Sequence, residues 1–213
     1  MAFPYRLCVI TDEELSGLCH REVAEQALQG GAPMIQLRDK ARNLRYLYEE
    51  AAAIQRLCLQ HGALFIVNDR LDLALAVKAD GVHLGQDDLP PHLARPLLRP
   101  GMILGISTHS VEEARAAQAA GADYIGFGPV FPTGTKTGTR PVVGLNGIRN
   151  VRKAVRVPVL AIGGITAERV PEILEAGAHG VAVISAIVGS GQIAEACRHF
   201  LSQLPGDTEG ENR

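Results

Sequence analysis

Three stretches of the 213-residue chain bring complementary charges into short spans. Gln36-Leu37-Arg38-Asp39-Lys40 closes an apolar run. If that run is a strand, alternate side chains share a face, so Gln36, Arg38 and Lys40 point together. An amide, a forked guanidinium and an ammonium point charge at one strand mouth make a phosphate clamp. The next two apolar runs end in Asn68-Asp69-Arg70 and Gly85-Gln86-Asp87-Asp88. Neighbouring strands lie about 4.8 Å apart, so Asp69 and one of Asp87 and Asp88 can converge on one cation. Carboxylates beside a phosphate clamp would repel the anion. A Mg²⁺ held by one or two carboxylates and by phosphate oxygens removes that conflict. The competing reading of Asp69 and Asp88 is a pair of helix N-caps.

Further anion-binding groups follow: Lys136 joins Arg38 and Lys40 in a subsite suited to a diphosphate, and Gly163, Gly164 and the Ile184-Ser185 backbone form a second, suited to a monophosphate. The run Tyr124 to Phe127 breaks into Gly128-Pro129-Val130-Phe131-Pro132-Thr133-Gly134-Thr135-Lys136. Proline and glycine stop a regular continuation, so this is a shaped loop. The hydroxyls of Thr133 and Thr135, backbone N–H groups and Lys136 suit a phosphate or diphosphate. Gly163-Gly164 follows another apolar run, and Ile184-Ser185 a further one. Ser107 ends a run from which it could reach a ligand. Asp12 and Ser110 read as helix caps, Ser110 as part of a capping box with Glu113. His83 lies inside an apolar run and reads as packed, and His109 has no assigned role. No Cys–His pair, no Ser-His-Asp arrangement and no lysine within a strand supplies a covalent nucleophile. Two phosphorylated ligands with a metal and no nucleophile suggest group transfer from a diphosphate.

The elements that must position these residues announce themselves by a repeat. Gly31-Ala32, Gly62-Ala63, Gly121-Ala122 and Gly177-Ala178 each precede an apolar, β-type run. Glycine just past a helix takes the left-handed capping conformation, and a strand can start at once. Continuous apolar strands alternating with helices imply a parallel sheet covered by helices. Eight strands fit, near 7–10, 34–37, 65–67, 82–84, 103–106, 124–127, 159–162 and 181–184. Asn43, Ser110 and Thr166 are placed to cap helices between them. The expected fold is a single-domain α/β structure, a compact (β/α)8 TIM barrel over residues 1–205, with a disordered polar tail over 206–213. The strand ends of such a barrel face one common site, and glycine after strand seven with a small residue after strand eight forms its usual phosphate cup. A doubly wound sheet is disfavoured because no G-x-G-x-x-G follows the first strand.

Composition narrows the partners. A net charge of −2 argues against binding nucleic acid or a membrane surface by charge. Aromatic residues are 4% of the chain and tryptophan is absent, which leaves no stacking platform for bases. Hydrophobic residues are 46%, yet no apolar run reaches the length of a membrane span. Cys8, Cys19, Cys58 and Cys197 lie far apart, as thiols in a reducing cytoplasm do. No signal peptide is expected at the N-terminus. The oligomeric state is left open.

Taken together, these motifs resemble the thiamine-phosphate synthase family, from Tyr5 to about Leu201. The resemblance rests on Gln36–Lys40, Asn68–Arg70, Gly81–Asp88, Gly126–Lys136, Ala161–Ile165 and Gly180–Ser185. It implies that hydroxymethylpyrimidine diphosphate condenses with hydroxyethylthiazole phosphate, giving thiamine phosphate and pyrophosphate. It further implies that Arg38, Lys40, Asn68 and Lys136 hold the diphosphate, Arg38 and Lys136 acting in catalysis, with Asp69 and Asp88 on Mg²⁺. Gln36 and Ser107 would contact the pyrimidine. Thr133, Thr135, Gly164, Ile184 and Ser185 would contact the thiazole phosphate. Two alternatives share the phosphate cup: an isomerase of the thiazole carboxylate phosphate, and a non-catalytic thiamine-phosphate binding protein.

Overall fold

A computed structural model describes residues 5–134 and 141–205 of the chain. Eight parallel strands close into a barrel in the order β1 to β8, with β1 paired to both β2 and β8. They are β1 Leu7–Ile10, β2 Met34–Leu37, β3 Leu64–Asn68, β4 Gly81–Leu84, β5 Ile103–Thr108, β6 Tyr124–Phe127, β7 Val159–Ile162 and β8 Gly180–Val183. The helices are α1 Glu13–Ser16, α2 His20–Gln29, α3 Leu44–His61, α4 Leu71–Ala76, α5 Pro91–Ala94, α6 Val111–Ala119, α7 Gly144–Ala154, α8 Val170–Glu175, α9 Ser185–Val188 and α10 Ile193–Ser202. Two short 3₁₀ turns, Arg95–Leu97 and Ala167–Arg169, adjoin α5 and α8. The expected tail over 206–213 lies outside the described residues.

The local signals explain most of the boundaries. Asn43 opens α3 by accepting from the Tyr46 N–H at 3.0 Å. Gly62 closes it in the left-handed region at φ 65°, its N–H returning to the Cys58 and Leu59 carbonyls. The glycines of the other three repeats have φ of 88°, 83° and 103°, so each helix ends on the same device. Ser110 does cap α6, accepting from Glu113 N–H at 3.1 Å. The Glu113 carboxylate, however, takes the His109 N–H, one residue before the position a capping box requires. At Thr166 the chain enters a 3₁₀ turn before α8, rather than an α-helix directly. Strand β8 stops at Val183, and Ile184 is the N-cap of α9.

Two apolar cores follow from the period of two. Leu7, Val9, Ile35, Leu37, Val67 and Val82 face outward to the helices. Cys8, Ile10, Met34, Ile66, Tyr124, Leu160, Ala182 and Ile184 fill the inside. The inward alternation carries upward from Met34 to Gln36 and from Ile66 to Asn68, so polar residues replace apolar ones at the C-terminal rim.

Barrel closure depends on a missing side chain. A methyl group on Gly180 would fall deep inside van der Waals contact of the Arg6 carbonyl, the acceptor of the Val181 N–H at 2.8 Å. Backbone cannot yield as a side-chain end can. Gly180→Ala is therefore expected to cost about 1–3 kcal/mol, by parting β1 from β8. Urea unfolding measures it, and an unchanged midpoint would disprove the closure argument.

Candidate functional site

The rim over β2, β3 and β4 gathers the charged residues. Gln36 is 3% exposed, with its Nε2 3.9 Å from Cys8 Sγ inside the barrel. Arg38 follows two residues later, half-buried, and among the described residues no carboxylate pairs with its guanidinium. Lys40 extends into solvent and meets Asp69, Nζ to Oδ2 3.3 Å. Asn68 is the last residue of β3 and lies opposite His83 in the ladder.

Asp69 is held unusually. Its φ is +62°, in the left-handed region that β-carbon-bearing residues rarely adopt. Its N–H donates to the His83 carbonyl at 2.8 Å, which fixes the turn against β4. Asp88 reaches the same place from the loop after β4, its Oδ2 accepting from Gly85 N–H at 2.6 Å. Burial, and then the hydrogen-bonding and charged Asp69 carboxylate beside it, push Asp88 above its ordinary value. The Gly85 N–H and Lys40 act the other way without cancelling this. Neither aspartate caps a helix: the N-cap of α4 is Arg70, and Asp88 bonds its own turn. Asp87 is exposed. Two adjoining carboxylates, one disfavoured as an anion, form a pair of oxygen donors suited to a hard cation.

The floor under this rim is polar and closed. His83 is 7% exposed, with Nδ1 2.9 Å from the Tyr124 hydroxyl and Nε2 2.9 Å from Ser107 Oγ. Burial keeps Tyr124 a neutral phenol. Room for the two rings comes from β5 and β6: a β-carbon at Gly105 would stand 2.5 Å from His83 Nδ1, and one at Gly126 3.2 Å from His83 Cε1. The Gln86 amide donates to the Ser107 carbonyl at 2.6 Å, tying the β4 loop to β5.

Across the barrel, Gly163 and Gly164 turn at φ 100° and 64°. Their close neighbour is the β6 loop: Val130 N–H donates to Ile162 O at 2.9 Å and Phe131 N–H to Gly163 O at 3.0 Å. Arg169 lies over the Phe131 ring at 4.0 Å, bracing the same loop from α8's side. Thr133 is exposed at the loop's crest, and Thr135 and Lys136 lie outside the described residues. Ile184 is 7% exposed and Ser185, exposed, begins α9 beside it. Thus one rim carries the basic and acidic cluster on β2–β4 and the glycine turn with Ile184-Ser185 on β7–β8.

A match to the sequence family described as thiamine monophosphate synthase runs over residues 7–187, which takes in every strand. The chain belongs to the thiamine monophosphate synthase family. It is 55% identical over 195 residues to a thiamine-phosphate synthase of Methanospirillum hungatei, covering 91% of this chain and 95% of that one. It is 53% identical over 197 residues to one from Methanocella arvoryzae, covering 92% and 93%. The solved thiamine phosphate pyrophosphorylase of Pyrococcus furiosus superposes with a TM-score of 0.86 at 42% identity, covering 94% of this chain and 95% of that one.

Within this thiamine monophosphate synthase family member, some rim residues escape sequence reasoning. His20 is wholly buried and bonded to Asp39, while Tyr124 supports His83 from the barrel interior. Helical spacing with Val23, Ala24, Ala27 and Leu28 could have placed His20 on the buried face of α2, but neither its bond to Asp39 nor that of Tyr124 to His83 has a spacing signal, because those partners come from other βα units.

Proposed function

We propose that this chain is a thiamine-phosphate synthase, joining hydroxymethylpyrimidine diphosphate to hydroxyethylthiazole phosphate and releasing pyrophosphate. The observation that carries the reading is the Asp69–Asp88 carboxylate pair, with Lys40 on Asp69, on the strand-end rim that also carries Arg38 and the Gly163-Gly164 turn. A monophosphate at the glycine turn and a diphosphate at the basic cluster would be held face to face. Curated relatives about half identical over nearly the whole chain are named as synthases.

The chemistry follows from what the residues offer. The bond from the pyrimidine methylene to the diphosphate oxygen breaks, and its electron pair leaves on the diphosphate. The thiazole nitrogen then donates its lone pair to the methylene carbon, completing the new C–N bond. Arg38 and Lys40, with Lys136, place positive charge where the departing oxygen gains negative charge. Asn68 helps hold the diphosphate, Gln36 and Ser107 orient the pyrimidine end, and Thr133, Thr135, Gly164, Ile184 and Ser185 the thiazole phosphate. Mg²⁺ held by Asp69 and Asp88 would add Lewis-acid stabilisation of the leaving group. A thiol nucleophile has no place here, since burial pushes Cys8, Cys58 and Cys197 up to about 12. Among the described residues no helix is long and apolar enough to cross a membrane. A cytoplasmic site of action, where thiols stay reduced, suits this reading.

The test is to mix the protein with both substrates and Mg²⁺. Thiamine phosphate and pyrophosphate should form only when all three are present. Isomerisation of a thiazole carboxylate phosphate without pyrophosphate, or binding without turnover, would refute the proposal. A second expectation concerns the clamp. Arg38→Ala should lower kcat/KM for the pyrimidine diphosphate about ten- to a hundredfold, the loss of a hydrogen bond to a charged group. The thermal midpoint should hold, because no internal ion pair among the described residues is broken. Wild-type kinetics in this variant would remove Arg38 from the diphosphate site.

A further inference from the structure

His20 is a buried titratable residue that the chemistry above does not use. It is the first residue of α2, its side chain is 0% exposed, and both ring nitrogens are engaged. Nδ1 lies 2.8 Å from Thr11 Oγ1, and Nε2 lies 3.0 Å from Asp39 Oδ2. Thr11, itself 0% exposed, also accepts the Arg38 backbone N–H at 3.3 Å. With one N–H already arriving, the Thr11 hydroxyl has its own hydrogen to give to Nδ1. Nε2 then carries the ring proton and donates it to Asp39.

Asp39 passes the constraint onward. Its Oδ1 accepts from Ala41 N–H at 2.7 Å and from Arg42 N–H at 2.8 Å, closing a turn around Lys40. Burial works to raise Asp39, but the Arg42 N–H, the His20 ring and the Ala41 N–H together bring it below its ordinary value. Thus Arg38 and Lys40 sit on a segment pinned before and after, and His20 joins both pins.

Glu13, His20 and Asp39 offer ligand atoms within 4.8 Å of one another, which raises a metal site as an alternative. The donors already present argue against it. Glu13 Oε1 receives the Tyr46 hydroxyl and the His20 N–H, and Oε2 receives Arg42 Nε at 3.0 Å and an Arg42 terminal nitrogen at 2.9 Å. All four carboxylate oxygens therefore have protein donors.

We propose that His20 is a positioning residue for the diphosphate subsite, fixing through Thr11 and Asp39 the turn that carries Arg38 and Lys40. The proposal rests on the synthase reading for the identity of the ligand. Its test is chosen to be separable from that reading: isothermal titration with inorganic pyrophosphate and Mg²⁺, beside steady-state kinetics for each substrate. In His20→Leu, pyrophosphate should bind about tenfold more weakly, the scale of one lost bond to a carboxylate. The KM for the pyrimidine diphosphate should rise with it, and that for the thiazole phosphate should stay within about twofold. His20→Gln, whose amide can still donate toward Asp39, should recover most of the loss. If His20→Leu fails to fold, Thr11→Val, which cuts the link to Arg38 alone, should show the same selective weakening. Equal loss for both substrates, no recovery with glutamine, or unchanged pyrophosphate binding would each overturn the proposal. Stoichiometric metal on Glu13, His20 and Asp39 in the purified protein would do so too. A wild-type protein that binds pyrophosphate but forms no thiamine phosphate would instead count against the synthase reading, while the titrations still decide the role of His20.

Discussion

Asp69→Asn is expected to raise the Mg²⁺ concentration for half-maximal rate by more than tenfold, and to remove most of the pH dependence of stabilisation by Mg²⁺. Losing one anionic ligand of a hard cation forfeits at least about 1.4 kcal/mol, a factor of ten. The pH effect follows from Asp88, whose carboxyl burial and Asp69 hold above the ordinary value. Without metal, a raised carboxyl favours the folded state at pH below its unfolded value. That advantage disappears as pH rises through the raised value. At neutral pH the ionised Asp88 thus opposes folding, and a cation beside it relieves the opposition. Mg²⁺ at a hundred times its dissociation constant should add about 2.7 kcal/mol at pH 7. The gain should shrink as pH falls into the acid range through the raised value of Asp88, where that carboxylate takes up its proton. Thermal unfolding with and without Mg²⁺ at neutral and at acid pH measures both effects. An equal shift at both, or an Asp69→Asn variant with the wild-type metal requirement, would place the cation elsewhere.

Gly164→Ala should have the second large effect, on the other substrate. Glycine at φ 64° is replaced by a residue that pays about 1–2 kcal/mol to remain there. The new methyl group would stand 2.5 Å from the Pro132 carbonyl and 2.9 Å from Phe131 Cβ. The loop ahead of Thr133 must therefore move away from β7, and overpacking of this kind costs about 1–3 kcal/mol more. The expected result is a KM for the thiazole phosphate raised tenfold or more, with a lowered thermal midpoint and little change in pyrophosphate affinity. Unchanged KM for the thiazole phosphate would mean that the glycine turn does not touch that substrate.

The barrel is legible in the sequence because its signals are local. A glycine that ends a helix, an alanine, and a β-branched run repeat often enough to count strands, and four of the eight strands begin and end where the runs do. Residues that sit on the strand ends inherit this legibility. Gln36 faces inward because Met34 does, and Asn68 because Ile66 does. Contacts made across units are not written in this way. Ser110 and Glu113 have capping-box spacing, yet Glu113 turns to His109 because that histidine offers both a backbone and a ring nitrogen, the latter at 2.9 Å. Asp69 gives no hint of its left-handed backbone, which is set by the His83 carbonyl of the next strand. His20 stands on the buried stripe of α2 with Val23, Ala24, Ala27 and Leu28, so its burial follows from helical spacing, but its partners appear only when β1, β2 and α2 meet.

The paired absence of side chains at Gly105 and Gly126 has an evolutionary consequence. The volume they vacate is filled by His83 and Tyr124, whose ring centroids are 5.4 Å apart. A lineage that gains a side chain at position 105 collides with both rings at once, so a single substitution there leads into a barrier, while a concerted change with His83 or Tyr124 can pass. Positions 83, 105 and 124 should therefore change together or not at all. In paired substitutions the cost of Gly105→Ala should fall when Tyr124 is made smaller, a departure from additivity of the 0.5–3 kcal/mol scale found between touching residues. The depth of the site is thereby tied to a set of residues that can be exchanged only together.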